Sequence, residues 1–239
     1  MGDVKLKVNS ELMLIEVKNQ YNTIPEDILG KIKLYTSLTI KRIIDIIGAI
    51  VGILFLLPIT VVIAIVNFIN KEEGPIFYTQ ERIGKNGKHF KMYKYRTMVV
   101  GADDILKKLL EEDEEARKEY SINKKLKKDP RVTKIGRILR KASIDEFPQF
   151  INVLKGEMSL VGPRPYLPRE KEDMGSYYPY IISVRPGVTG LWQVTGRNDV
   201  TFQDRLELDL EYFKKINFKT YITILFKTFK KVFEREGAL

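Results

Sequence analysis

From Ile43 to Ile69 the sequence reads IIDIIGAIVGILFLLPITVVIAIVNFI, an apolar run whose only charge is Asp45. At about 1.5 Å rise per residue a helix of that length extends roughly 40 Å, more than the roughly 30 Å hydrocarbon layer of a bilayer. The chain is therefore expected to be attached to a membrane. The run starts too late, is too long and lacks the small-residue cleavage pattern of a secretory signal, so it is expected to be retained.

Pro58, near the middle of the run, makes the mode of attachment the first question. A proline removes one backbone hydrogen bond and presses on the preceding turn, which kinks a helix. Lys41 and Arg42 precede the run and Lys71 follows it. Lysine and arginine favour the cytoplasmic side, so basic flanks at both ends suit a helix that enters and leaves on one face. A tilted single-pass helix with a tolerated proline fits the same residues. Asp45, near the start of the run, is expected to reach the interface or to pair with Arg42.

The chain as a whole is charged and basic, with 41 Lys and Arg against 31 Asp and Glu in 239 residues and a net charge of +10. That excess calls for an anionic partner: phospholipid, a phosphorylated metabolite or nucleic acid. A membrane segment favours the first two. The absence of cysteine excludes disulfides, thiolate metal sites and cysteine nucleophiles. A single histidine, His89, argues against multi-histidine zinc sites and Ser-His-Asp triads.

The soluble part reads as α+β and mostly helical. Ile76–Gln80 and His89–Tyr95 are strand-like, and Asn86-Gly87 between them is a strong hairpin turn signal. Ala102 to Lys128 is helical in composition. Its acidic cluster Glu111–Glu115 reads as a solvated helix face with i,i+4 pairs. Asp129-Pro130 ends that helix. Frequent glycine and proline beyond it indicate loops between short elements. From Phe218 to Phe233 aromatic and aliphatic residues recur at helical spacing with Lys219, Lys227, Lys230 and Lys231 between them. This suits either an amphipathic helix in the head-group layer or a core helix with a basic face. Three regions follow: an N-terminal extension 1–40, a membrane element 41–70 and a soluble domain 71–239.

The sharpest local signal is RKASIDEFPQ, Arg140 to Gln149. Pro148 suits the first turn of a helix, which places Asp145 near that helix's N-terminus, where backbone N–H groups favour a carboxylate anion. An ionised, positioned carboxylate can serve as nucleophile or magnesium ligand. Adjacent acids on a helix point in different directions, so Asp145 and Glu146 have different tasks. A capping box, Ser143-x-x-Glu146, fits the same spacing. A second signal is a set of arginines in stiffened loops: Arg164 between two prolines, Arg185 before Pro186, and Arg197 after Gly196. A pre-ordered guanidinium matches phosphate oxygens. A third is FKMYKYRTM, Phe90 to Met98, whose Lys91, Lys94 and Arg96 suit an anionic lipid or nucleotide. Trp192 either packs in the core or stacks on a ligand base.

In this order the motifs resemble the bacterial sugar transferases, the monotopic phosphoglycosyl transferases. The matching pieces are KRIIDI (Lys41–Ile46), the apolar run, GPIFYTQERIG (Gly74–Gly84), FKMYKYRTM, TKIGRILRKASIDEFPQ (Thr133–Gln149), NVLKGEMSLVGPRP (Asn152–Pro165) and RPGVTGLWQVTGR (Arg185–Arg197). The resemblance implies transfer of a phospho-sugar from a UDP-sugar to polyprenyl (undecaprenyl) phosphate at the cytoplasmic face of the bacterial inner membrane, with release of UMP. The product opens the assembly of a surface glycan or exopolysaccharide. It implies a membrane helix that re-enters on the cytoplasmic side, broken at Pro58. It assigns Asp145 as nucleophile through a phosphosugar-aspartyl intermediate, Glu146 as the second member of the dyad, and Mg2+ at both. Arg140 and Arg164 match phosphate-binding positions, and Lys94 and Arg96 match positions in or near the active site. Nucleic acid is not expected as a partner; the sugar and the oligomeric state, a homo-oligomer included, are left open. Many members carry a serine before the bend proline, where this chain has Leu57, and a family aspartate near the C-terminus is replaced around Tyr221. The rival reading is a non-catalytic basic membrane adaptor for anionic lipid or nucleic acid, which leaves acids kept beside arginines without a purpose.

Overall fold

The apolar run forms part of one helix, α1 (Ile28–Ile69), in a computed structural model that describes residues 28–195 and 200–234. The helix begins inside the stretch read as an extension. Pro58 lies within it, and helical structure continues on both sides. By length and composition Leu38–Ile69 is sufficient to cross a membrane. Leu54, Leu57, Val62, Phe68 and Ile69 remain exposed along it.

The opposite face of α1 lies along the soluble domain. Gly48 and Gly52 allow the contact: a Cβ there would come within 2.7 Å of the Leu160 side chain and 2.3 Å of the Phe150 ring. Asp45 is 2 % exposed. It accepts from the Leu160 N–H at 2.8 Å, the Ser159 hydroxyl at 3.0 Å and the Tyr221 hydroxyl at 2.8 Å. This corrects the expectation of an interfacial or Arg42-paired Asp45. Arg42 instead donates to the Val153 and Leu154 carbonyls. A carboxylate buried in an apolar run needs fixed donors, and the domain supplies three.

Two antiparallel strands, β1 (Phe77–Ile83) and β2 (His89–Tyr95), form the hairpin. Asn86 and Gly87 both take positive φ, as a tight turn requires. Helices α2 (Ala102–Glu112) and α3 (Glu114–Asn123) divide the expected single helix. Asp113 leaves the helical region and accepts from the Ala116 N–H, so a residue within the acidic cluster becomes an N-cap. Lys118 pairs with Glu114 at 2.9 Å, in line with the expected i,i+4 spacing. Next come α4 (Lys134–Lys141), a single 3₁₀ turn (Ile144–Glu146) and α5 (Gln149–Lys155). Strands β3 (Ser159–Val161) and β4 (Gly187–Thr189) pair in parallel. Between them lie the short α6 (Lys171–Met174) and α7 (Tyr178–Ile181). Helices α8 (Leu191–Thr195), α9 (Phe202–Lys214) and α10 (Phe218–Glu234) complete the described chain.

Helix α10 has the core face that one reading of its pattern expects. Tyr221 and Ile224 enter the main core with Phe90, Met92, Val153 and Leu160. Phe226 and Phe229, 71 % and 62 % exposed, face outward. A second apolar cluster joins Leu56, Ile59 and Ile63 of α1 to Tyr95, Leu139, Ile144 and Phe147. It places α1 directly beneath the Ile144–Glu146 turn.

Candidate active site

On a β-strand successive side chains point to opposite faces. At the end of β2, Tyr95 enters the apolar cluster while Lys94 faces the other way. Thr133 caps α4 by accepting from the Gly136 N–H at 2.9 Å. Gly136 packs against the chain at Thr97 so closely that a Cβ would stand 2.0 Å from the Thr97 carbonyl oxygen. One turn later Arg140 donates through Nε to the Thr97 hydroxyl at 3.0 Å.

After α4, Ser143 takes a left-handed conformation and makes no cap hydrogen bond through its side chain. The capping-box alternative is therefore not what forms. The 3₁₀ turn then directs Ile144 and Phe147 into the apolar cluster. Asp145 and Glu146 face Lys94, whose Nζ lies 2.9 Å from Glu146 Oε1 and 4.0 Å from Asp145 Oδ2. Pro148 stands as the N-cap of α5, one residue ahead of the position expected for it.

Asp145 is 8 % exposed. Burial pushes its carboxyl above the ordinary aspartate range; Lys94 and Arg140 pull it back, and Glu146 adds to the rise. Burial lowers the Arg140 guanidinium, and the charges of Asp145 and Asp129 oppose that. A carboxylate in a partly dry turn, facing an ammonium and a guanidinium, is equipped to attack an anionic centre whose charge those cations offset. Among the described residues no three His, Asp or Glu side chains form a metal cage. Asp145 and Glu146 both lie within 4.0 Å of the Lys94 ammonium. Two carboxylates converging on one cation are a donor set that could hold magnesium, which commonly takes one or two carboxylates and completes its shell with phosphate and water.

Arg164 belongs to a neighbouring cluster. Its backbone N–H donates to Asp209 Oδ2 at 3.0 Å, and its guanidinium lies 5.8 Å from the Trp192 ring centre. Arg205 covers the same ring at 6.0 Å. Burial, and then the charge of Arg164, lower Arg82 to about 9 and Arg205 to about 10. Asp209 is fully buried and pushed up to about 7 by that burial, against the pull of the Arg164 N–H and the Tyr166 hydroxyl. Among the described residues no hydrogen bond or ion pair joins Arg164 to the dyad. On the hairpin, Arg82 pairs with Phe90 and Lys94 with Tyr78. Phe90 and Lys94 are four residues apart on β2, about 13 Å along the strand.

The remaining basic residues are dispersed. Arg96 covers Gly74 and donates to the Glu73 carbonyl at 3.5 Å, at the exit from α1. Arg185 donates to the Gly156 carbonyl at 2.8 Å, past the C-terminus of α5. Arg197 lies outside the described residues. Trp192 is half-buried beside two guanidiniums, nearer to the core reading than to an open stacking platform.

Sequence reasoning overlooked several residues. Asp129 and Arg131 form a bidentate pair at 2.8 and 2.6 Å beside Arg140. Asp129-Pro130-Arg131, an acid and a base held by a proline, is the signal that was available. Thr97, Arg82, Arg205 and Asp209 carried none, because their neighbours come from distant segments.

The sequence model of the family described as bacterial sugar transferase matches residues 36–235. The chain is 40 % identical over 236 residues to a UDP-galactose-lipid carrier transferase of Erwinia amylovora, covering 99 % of this chain and 47 % of that protein. It is 41 % identical over 236 residues to an undecaprenyl-phosphate galactose phosphotransferase of Salmonella typhimurium, with the same coverage of 99 % and 47 %. It is 40 % identical over 199 residues to the exopolysaccharide production protein ExoY of Rhizobium meliloti, covering 83 % of this chain and 87 % of that protein. The chain thus spans about half the length of the first two.

Proposed function

The chain belongs to the bacterial sugar transferase family, and from that premise we propose that it transfers a sugar-1-phosphate from a UDP-sugar to polyprenyl phosphate, releasing UMP. Relatives named for undecaprenyl phosphate and for exopolysaccharide production support the acceptor class and the role in glycan assembly. The observation that carries the chemistry is Asp145, buried in the 3₁₀ turn with Lys94 4.0 Å away and Arg140 close enough to act on its charge.

In the proposed sequence an Asp145 carboxylate oxygen attacks the phosphorus that bears the sugar. An aspartyl O–P bond forms, the bridging P–O bond to UMP breaks, and UMP leaves. A polyprenyl phosphate oxygen then attacks the same phosphorus, forming polyprenyl diphosphate sugar and freeing Asp145. Lys94 and Arg140 offset the negative charge that keeps a carboxylate away from a diphosphate. The bond from Lys94 to Glu146 at 2.9 Å keeps its ammonium beside Asp145. Magnesium, held by Asp145 and Glu146, would neutralise the diphosphate. Arg164, in the adjoining cluster, suits a more distant part of an extended nucleotide sugar.

Residues 41–70 serve as the membrane element and 71–239 as the catalytic domain. The membrane helix dips into the cytoplasmic leaflet of the inner membrane and returns. Support comes from contacts on both sides of Pro58: Arg42, Asp45 and Gly52 before it, and Thr60 and Ile63 after it, all touch the same domain. A spanning helix would carry that domain through the bilayer. The test is UMP release by the folded protein given magnesium, polyprenyl phosphate and a panel of UDP-sugars. Release that requires both substrates in turnover is expected. No release across the panel would return the chain to a binding role.

A further inference from the structure

The turn of α1 that contains Pro58 carries a polar contact no substrate requires. The Thr60 hydroxyl donates to the Leu56 carbonyl at 2.6 Å. It lies 2.6 Å from the Tyr95 hydroxyl, which is itself 3.1 Å from the same carbonyl. Tyr95 is 1 % exposed. Its ring stacks on Phe77 at 5.3 Å and packs with Leu56, Ile59, Ile63, Leu139, Ile144 and Phe147. A phenol buried this deeply needs a partner for its hydroxyl, and the helix on either side of the proline supplies it.

Two features make this more than packing. Proline lacks the N–H that would bond the Leu54 carbonyl, and a threonine bonded back to residue i−4 bends a helix further. The helix is weakest where Tyr95 grips it, and Leu57 beside the proline has no hydroxyl to contribute. The preceding residue of β2 is Lys94, the cation that holds Glu146 and faces Asp145. Ile144 and Phe147, which flank the dyad, rest on the same apolar cluster. Membrane helix, strand and catalytic turn therefore share one contact point.

We propose that Tyr95 is a positioning residue. Its hydroxyl, locked to Thr60 and Leu56 at the proline of the membrane helix, sets the end of β2 and so the placement of Lys94 against Asp145 and Glu146. This rests on the reading of Asp145 as the reacting carboxylate. Tyr95→Phe and Thr60→Val each remove one hydroxyl while keeping bulk, and Thr60→Ser keeps the hydroxyl.

The test uses the full chain in lipid nanodiscs and measures turnover together with hydrogen exchange of the 143–150 segment. Tyr95→Phe and Thr60→Val are each expected to lower kcat by about tenfold, about 1.4 kcal/mol in the barrier, with the donor KM within about twofold of wild type. Exchange at 143–150 is expected to quicken in both. The double variant should be no worse than either single one, because the groups act as a unit, and Thr60→Ser should match wild type. Wild-type kcat and exchange in both hydroxyl-free variants would overturn the proposal, as would a Thr60→Ser variant as impaired as Thr60→Val. A wild-type protein without turnover would sink the enzymatic reading alone, and the exchange arm would still decide the lock.

Discussion

Asp145 is held in a protonation balance by named neighbours. Burial raises its carboxyl, Lys94 and Arg140 lower it, and Glu146 raises it again. A nucleophilic carboxylate must be ionised, so the acid limb of kcat/KM is expected above the ordinary aspartate value of about 3.9. Lys94→Met should move that limb to higher pH and cut kcat by about 100-fold, read from pH–rate profiles of the two proteins. Asp209 offers a test on stability. Its pKa of about 7 exceeds that of an unfolded aspartate, so the native state holds the extra proton. Its contribution is complete below about 4 and is lost as pH rises toward 7. Asp209→Asn should therefore flatten the fall in thermal midpoint across that window. At this scale the acids beside Arg140 and the basic strand were legible as local patterns, in RKASIDEFPQ and FKMYKYRTM, and Lys94 does lie against Asp145 and Glu146. The roles assigned to them rest on the resemblance, not on spacing. Asp45 was not legible: its proximity to Arg42 in sequence suggested a pair, whereas its donors are Ser159, Leu160 and Tyr221.

Among the elements, the hairpin was readable from Asn86-Gly87, and the long apolar helix from its composition. The split between α2 and α3 was missed because Asp113 bonds the backbone locally, an alternative that helical composition does not display. The parallel β3–β4 pair was missed because each strand is three residues long and its partner is distant in sequence. Helix α4 carries the arginine of the site, and its placement depends on Gly136. Gly136→Ala puts a methyl group 2.0 Å from a backbone carbonyl oxygen that cannot rotate away. The expected cost is about 2 kcal/mol in denaturant titration, with a larger loss of activity as Arg140 leaves Thr97. The anchor of α1 at Asp45 predicts a ranking: Asp45→Ala lowers the thermal midpoint more than Tyr221→Phe. The first strands three donors, whereas the second removes one of them.

For the molecule as a whole, the residues that follow the long apolar helix α1 pack along it rather than beyond its end. One apolar cluster therefore joins α1 to the floor of the site: Leu56, Ile59 and Ile63 below, Ile144 and Phe147 above. Length and charge predicted a membrane and an anion, but side-by-side packing depends on Gly48, Gly52 and Asp45 meeting residues more than 90 positions away. The sequence contains no cysteine, so single introduced thiols report cleanly. Lys41→Cys and Lys71→Cys should both react with an impermeant reagent applied to the cytoplasmic side. Reaction of one from each side would mean a spanning helix. The most direct measurement concerns the carboxylate itself: a single-turnover reaction with donor labelled at the sugar-bearing phosphorus, followed by denaturation. Label should remain bound to the wild-type chain until polyprenyl phosphate is added, and should be absent from Asp145→Asn. Label retained in that variant would contradict nucleophilic attack by Asp145, as would a turning-over wild type that never carries it.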